Sequence, residues 1–292
     1  QRVIPETKGH EIQPFDIRGA VLFFVALISI LIPLSYTEKV GWHNPYLLTW
    51  LIVGVALLVL FVILENRTRY PMIDMSLFKN RLFSLANFSA LLNYIALFST
   101  VFIMPFYLQQ LRGMPPDQAG MILIPMPLAT MIVAPISGAV SDRVDSRYIS
   151  SLGMAVTSVS LWMLSNLKID SPKLSVVFAL IVLGTGSGLF QTPNNSAVMG
   201  TVPPNRRGIA SGLLASMRNV GMVLGVAISG AVFSSRLGTL TKGLAAQGLS
   251  GTELGVQAFT GAMHLAYTVS AGVAAFAILT SLTRGPNVKP RV

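Results

Sequence analysis

Residues 46–64, YLLTWLIVGVALLVLFVIL, run for 19 positions without a charged side chain. As a helix rising about 1.5 Å per residue, such a stretch crosses the roughly 30 Å hydrocarbon core of a bilayer with every backbone group bonded internally. Seven more apolar stretches of spanning length lie around it, at 19–36, 82–108, 119–140, 148–167, 174–196, 208–234 and 261–282. The predicted fold class is an all-α polytopic membrane protein with eight transmembrane helices.

Composition supports that reading. Of the 292 residues 52% are hydrophobic and 11% charged, with a mean hydropathy of +0.65. Soluble domains carry about 25% charged residues, so a water-soluble enzyme is effectively excluded. Lys and Arg number 21 against 11 Asp and Glu, a net charge of +10. In a soluble chain this excess would suggest nucleic acid, but here it falls between apolar runs, as a positive-inside bias does. Fourteen of the basic residues lie on the side of the two termini, from Arg2 and Arg18 through Arg143, Arg147, Arg206 and Arg207 to Arg284 and Arg291, and six on the other. Eight spans with that asymmetry predict both termini in the cytoplasm. The chain begins at Gln1 with a polar segment and no signal peptide, which reads as an entry in mid-protein.

Several chemistries are absent. The chain has no cysteine, which removes disulfides, thiolate metal sites and a cysteine nucleophile. His10, His43 and His264 share no helical spacing, so no metal centre is expected. Gly184 to Gly188 (GTGSG) has no strand before it and no Lys-Ser/Thr after it, unlike a phosphate loop. No cofactor is expected, and ATP-driven transport within the chain is disfavoured.

The residues that stand out are polar groups at membrane depth and glycines at helical spacing. All 11 carboxylates fall outside the spans or at an edge, and Arg218 is the fully ionised group inside them. An arginine there is costly unless paired, hydrated or snorkelling, and its partner is expected outside these spans; the alternative is a structural arginine tied to backbone carbonyls. Gly184, Gly188, Gln191 and Asn195 recur at four, three and four residues, along one helix stripe. Small residues there admit a neighbouring backbone, and the amides either line a cavity or glue helices together. Asn87 and Tyr94, seven residues apart on one face, offer an amide and an aromatic ring to a flat ligand. Tyr107, Trp42 and Trp50 suit interface anchors. The turn from Gly138 to Arg147 (GAVSDRVDSR) brings Asp142, Arg143 and Arg147 to a helix end. That is either a charge lock between helices or a solvated turn with positive-inside arginines. The connection 65–81 has room for a short interfacial helix, and 235–260 reads as an external hairpin or a segment lying on the membrane surface.

Three of these segments together resemble the drug:proton antiporters of the major facilitator superfamily, specifically the C-terminal part of a fourteen-span member. Asp16, Gly19 and Leu22 fit the D-x-x-G-x-x-L signature of the first extra helix. Gly221, Gly225 and Gly230 fit the glycine-spaced motif of the penultimate helix. Gly138, Asp142, Arg143 and Arg147 fit the second copy of the G-x-x-x-D-R-x-G-R loop, with Asp145 where the glycine usually stands. The resemblance implies a cytoplasmic linker at 1–18, two extra helices at 19–64, a cytoplasmic connection at 65–81, a six-helix transporter domain at 82–284 and a tail at 285–292. It assigns Gly138, Asp142, Arg143 and Arg147 to gating, and Asp16, Gly19, Gly184, Gly188, Gly221, Gly225 and Gly230 to helix packing. Asn87, Tyr94, Gln191, Asn195 and Arg218 are then the candidate cavity residues. It further implies a bacterial cytoplasmic membrane location, amphipathic or cationic substrates, a proton gradient as energy source, and an N-terminal six-helix domain as partner. An exporter of one metabolite and a non-transporting membrane platform are the alternatives.

Overall fold

A computed structural model describes residues 16–40, 44–68 and 75–285 of the chain. Trp42, His10, His43, most of the polar first segment and the tail from 286 lie outside the described residues. The helices are α1 (Ile17–Val40), α2 (Pro45–Glu65), α3 (Arg81–Phe106), α4 (Pro116–Leu123), α5 (Pro125–Ser141), α6 (Ser146–Ser165), α7 (Lys173–Gly200), α8 (Arg207–Ala246) and α9 (Gly251–Thr283). No strand occurs among the described residues.

Local chemistry sets the helix ends. Asn44 and Asn80 cap α2 and α3 by accepting from the Tyr46 and Leu82 amides, each at 3.0 Å, which satisfies donors that a helix start leaves free. Pro45, Pro116 and Pro125 begin helices where a missing N–H does no harm. Met75–Lys79 forms a short 3-10 turn in the connection where an interfacial helix is expected.

Seven spans among the described residues are long and apolar enough to cross a membrane: α2, α3 with its π-helical end Tyr107–Leu111, α4 joined to α5, and α6 to α9. Only the stretch Ile17–Ile30 of α1 is apolar in the same sense. Two expectations about these spans need correction. The fourth is broken at Ile124, where Pro125 cannot supply a ladder hydrogen bond, into α4 and α5. The spans read as 208–234 and 261–282 are longer, because α8 continues to Ala246 and α9 begins at Gly251, so the region 235–260 is a helical hairpin. At 40 residues α8 is about 60 Å long, roughly twice the hydrocarbon thickness. The turn back is tight: Gly248 has φ +90°, while the Leu249 and Gly248 amides donate to the Leu244 and Ala245 carbonyls at 3.1 and 3.0 Å. That pattern needs a left-handed residue, which glycine supplies without strain.

In the bundle α7 lies between α5 and α6, α6 packs on α9, and α3 packs on α8 and α9. The α1–α2 pair leans on the rest through α1 and α8. The main core gathers Met104, Tyr107, Leu161, Leu180, Phe190 and Tyr267. A second, smaller cluster joins Phe61 of α2 to Phe83, Val198 and Leu213 at the ends of α3, α7 and α8.

Candidate functional site

The α5–α6 turn is built from side chains bonding to their own backbone. Asp142 ends α5, and Asp145 caps α6 by accepting from the Arg147 amide at 3.0 Å. Arg147 Nε lies 3.6 Å from Asp145 Oδ2, its Nη2 donates to the Tyr148 hydroxyl at 2.7 Å, and its guanidinium lies over the Tyr148 ring at 4.5 Å. Asp145 has φ −57° and ψ 125°, a conformation open to any residue. The turn therefore forms without the glycine that the loop signature has at this position, and aspartate provides a cap in exchange. Arg143 is exposed. Gly138, one helical turn earlier, would bring a Cβ to 3.0 Å from Thr192 of α7, so it lets α5 and α7 come together.

The stripe on α7 divides by partner. Gly184 and Gly188 face α5, where their carbonyls accept from Thr130 and Ser137 at 2.9 and 2.8 Å. A Cβ on Gly184 would strike the Met126 carbonyl, and one on Gly188 would meet Val133 at 3.0 Å. Gly186 and Gly153 do the same between α7 and α6, a pair that the single-stripe reading did not include. Gln191 is half-buried and donates to Ser187 on its own helix at 2.5 Å. Asn195 is exposed, whereas its neighbour Asn194 is wholly enclosed.

On the other side of the bundle Gly221 and Gly225 bring α8 against α3. Added Cβ atoms would lie 2.8 Å from the Leu91 carbonyl and 2.7 Å from the Ile95 carbonyl. Gly230 is looser, with the Phe102 ring at 3.4 Å. This close approach sets Arg218 beside the half-buried Tyr94 hydroxyl, with which it interacts electrostatically. The expectation that Arg218 finds its partner outside these spans is corrected to that extent: α3 supplies a phenol. The Arg218 side chain is exposed on the chain and lies about 16 Å along α8 from Arg207.

Two other expectations are corrected by burial. Asn87 does not face open space: it is 1% exposed and donates to the Phe83 carbonyl one turn back at 2.9 Å. Tyr107 is no interface anchor, since its ring is enclosed and its hydroxyl donates to the Lys168 carbonyl at 2.7 Å, tying α3 to the α6–α7 connection. Trp50 is exposed. At the start of α1, Asp16 accepts from the Gly19 amide at 2.9 Å, and a Cβ on Gly19 would lie 2.6 and 3.0 Å from the carboxylates of Asp16 and Glu65. The D-x-x-G spacing thus caps α1 and seats it on the end of α2.

The sequence reading did not single out Arg284. It follows α9 and is 1% exposed, with Nη1 donating to Asn194 Oδ1 at 2.8 Å and Nη2 to Ser146 Oγ at 2.7 Å. Burial pushes its pKa down to about 10 against the opposing pull of Asp145, so it remains charged at neutral pH. Nothing local in the sequence distinguishes it from the arginines that face the cytoplasm in a positive-inside pattern.

An all-helical bundle with glycine-mediated contacts and seven spans of membrane-crossing length among the described residues is the build of a polytopic membrane protein. The family model described as Major Facilitator Superfamily matches residues 17–226 and, in a second alignment, 86–290, and the chain belongs to that superfamily. It is 34% identical over 226 residues to the riboflavin transporter RibZ of Clostridioides difficile, covering 76% of this chain and 48% of that protein. It is 29% identical over 234 residues to the multidrug resistance protein Stp of Mycobacterium tuberculosis, covering 80% and 43%. The tetracenomycin C resistance and export protein of Streptomyces glaucescens is 29% identical over 224 residues, covering 77% and 42%. The chain spans about half the length of these relatives. Among solved structures, a bacterial homolog of the human lysosomal transporter Spinster, inward-facing and occupied, superposes with a TM-score of 0.60 at 13% identity, covering 91% of this chain and 66% of that one.

Proposed function

We propose that these helices are the C-terminal part of a proton-coupled exporter that expels amphipathic or cationic compounds by alternating access. The observation that carries the reading is Arg218. A guanidinium exposed along a spanning helix is not stable against lipid tails, so α8 turns that face toward a wet cavity or another protein domain. Tyr94 beside it supplies an aromatic surface and a hydroxyl, which suits a flat, partly apolar solute. In this reading Gln191 and Asn195 extend the cavity wall, and the α5–α6 turn with Gly138, Asp142, Arg143 and Arg147 gates one end. A second six-helix domain supplies the acidic proton site and the other wall, and the halves rock about the site. Both termini face the cytoplasm of a bacterial cell, following the distribution of Lys and Arg.

A second reading, a transporter for one defined solute, draws on the likeness to a riboflavin transporter. Flavin rings are flat and rich in hydrogen-bonding edges, and a phenol next to a guanidinium is suited to them. Energised membrane vesicles distinguish the readings. Uptake of a fluorescent lipophilic cation that collapses with a protonophore, competes with unrelated dyes and is lost in Arg218→Ala at unchanged membrane level is expected for the exporter. Competition by riboflavin alone favours the second reading. Absence of any protonophore-sensitive flux of either solute refutes both.

A further inference from the structure

At one end of the bundle three helices meet on a single enclosed guanidinium. Arg284, at the end of α9, donates through Nη1 to Asn194 of α7 and through Nη2 to Ser146 and, at 3.4 Å, Ser150 of α6. Asn194 in turn donates to the Ala86 carbonyl of α3 at 3.1 Å. Arg284, Ser146, Ser150 and Asn194 are each at most 1% exposed. A charge removed from water is costly unless its donors are bonded. Only the planar five-donor fork of arginine can hold two helices in fixed directions at once; a lysine ammonium is a point charge on a flexible stem.

Ser146 is the first residue of α6, directly after the Asp145 cap. The fork therefore grips α6 where the α5–α6 turn delivers it. The turn's own ion pair, Asp145 with Arg147, is partly exposed at 3.6 Å, and pairs of that kind hold weakly.

We propose that Arg284 is the positioning residue of the α5–α6 turn: its fork sets where the start of α6 stands against α7 and α9, and so where Asp142, Arg143 and Arg147 are presented. Its part in transport rests on the exporter reading; its grip on the turn does not.

The chain contains no cysteine, so a single introduced thiol reports on one place. Ile149→Cys, at a 7% exposed position in the first turns of α6, reads the gripped end, and Leu161→Cys, at a fully enclosed position further along α6, reads the general packing. The rate of modification by a water-soluble maleimide is measured on the full chain in detergent. Arg284→Lys is expected to raise the rate at Ile149→Cys at least tenfold and to leave Leu161→Cys within twofold. In vesicles, the same substitution lowers dye turnover at least fivefold with KM within twofold. Ser146→Ala, which takes the α6 acceptor away from Nη2, is expected to raise modification of Ile149→Cys at least threefold, and this variant decides the matter if Arg284→Lys does not insert. A parallel rise at both thiols under Arg284→Lys, or an unchanged Ile149→Cys rate in either variant, overturns the proposal. If the unsubstituted protein carries no proton-driven flux, the exporter reading fails while the thiol rates still decide the grip.

Discussion

Replacing Gly225 by alanine tests how closely α3 and α8 are packed. The new Cβ would lie 2.7 Å from the Ile95 carbonyl oxygen and 3.0 Å from Phe98 Cβ, where ordinary contact begins near 3.4 Å. Both obstacles are backbone or backbone-proximal, so a rotamer change cannot relieve them, and α8 must retreat by roughly half an ångström or more along the interface. Overpacking of this kind costs about 1–3 kcal/mol, offset by alanine's helix advantage of about 1 kcal/mol. The net loss of up to about 2 kcal/mol corresponds to a fall in Tm of up to roughly 8 °C for a chain of this size. Gly221→Ala, 2.8 Å from the Leu91 carbonyl and from Tyr94 Cβ, behaves alike and also moves Tyr94 away from Arg218. Gly230→Ala meets only the Phe102 ring at 3.4 Å and keeps the propensity gain, raising Tm by about 1–4 °C. Thermal unfolding followed by circular dichroism in detergent measures all three. Equal shifts at the three positions, or a stabilised Gly225→Ala, would refute the close-packing argument.

Four further substitutions check other parts of the structure. Asn194→Leu is expected to lose about 3 kcal/mol, because it removes the acceptor of the buried Arg284 Nη1 and the donor to the Ala86 carbonyl, while Asn195→Leu at the exposed neighbouring position changes stability by less than about 0.5 kcal/mol; similar losses at both would contradict their placement. Asp145→Ala removes the α6 cap at a cost of about 1 kcal/mol, read as a lower Tm, and a variant as stable as the parent would show that the cap contributes nothing. Tyr107→Phe deletes the hydroxyl that bonds the Lys168 carbonyl, costing about 1–2 kcal/mol with dye KM unchanged; a large change in KM would instead place Tyr107 at the solute.

Much of the architecture is legible in the residue order because lipid leaves few options. A backbone without water must bond to itself, so apolar runs of spanning length mark helices, and 46–64 is read as one without reference to anything else. The crowded glycines of α7 and α8 are found the same way, from their helical spacing. Length beyond the membrane is different: α8 runs on to Ala246 through a Gly-, Leu- and Thr-rich stretch that lacks a spanning signal and is read as a connection outside the spans, because its partner is α9 and not lipid. Phe233 meets Phe259 edge to face across that hairpin with ring centres 4.9 Å apart.

The site divides along the same line. That Arg218 must escape the lipid follows from its charge and depth alone, but that Tyr94 meets it depends on Gly221 and Gly225 drawing α8 onto α3. Asn194 and Asn195 are the same residue type one step apart, and about 100° of helix rotation encloses one and exposes the other; their identity cannot say which. Arg284 reaches Asn194 across 90 positions of sequence and Ser146 across 138. The amino-acid sequence by itself determined the helices, their apolar faces and the scarcity of charge within them, since each is a contest between a side chain and lipid or water. Only the tertiary structure decided which polar groups are sealed inside, since burial is conferred by neighbours that arrive from distant parts of the chain.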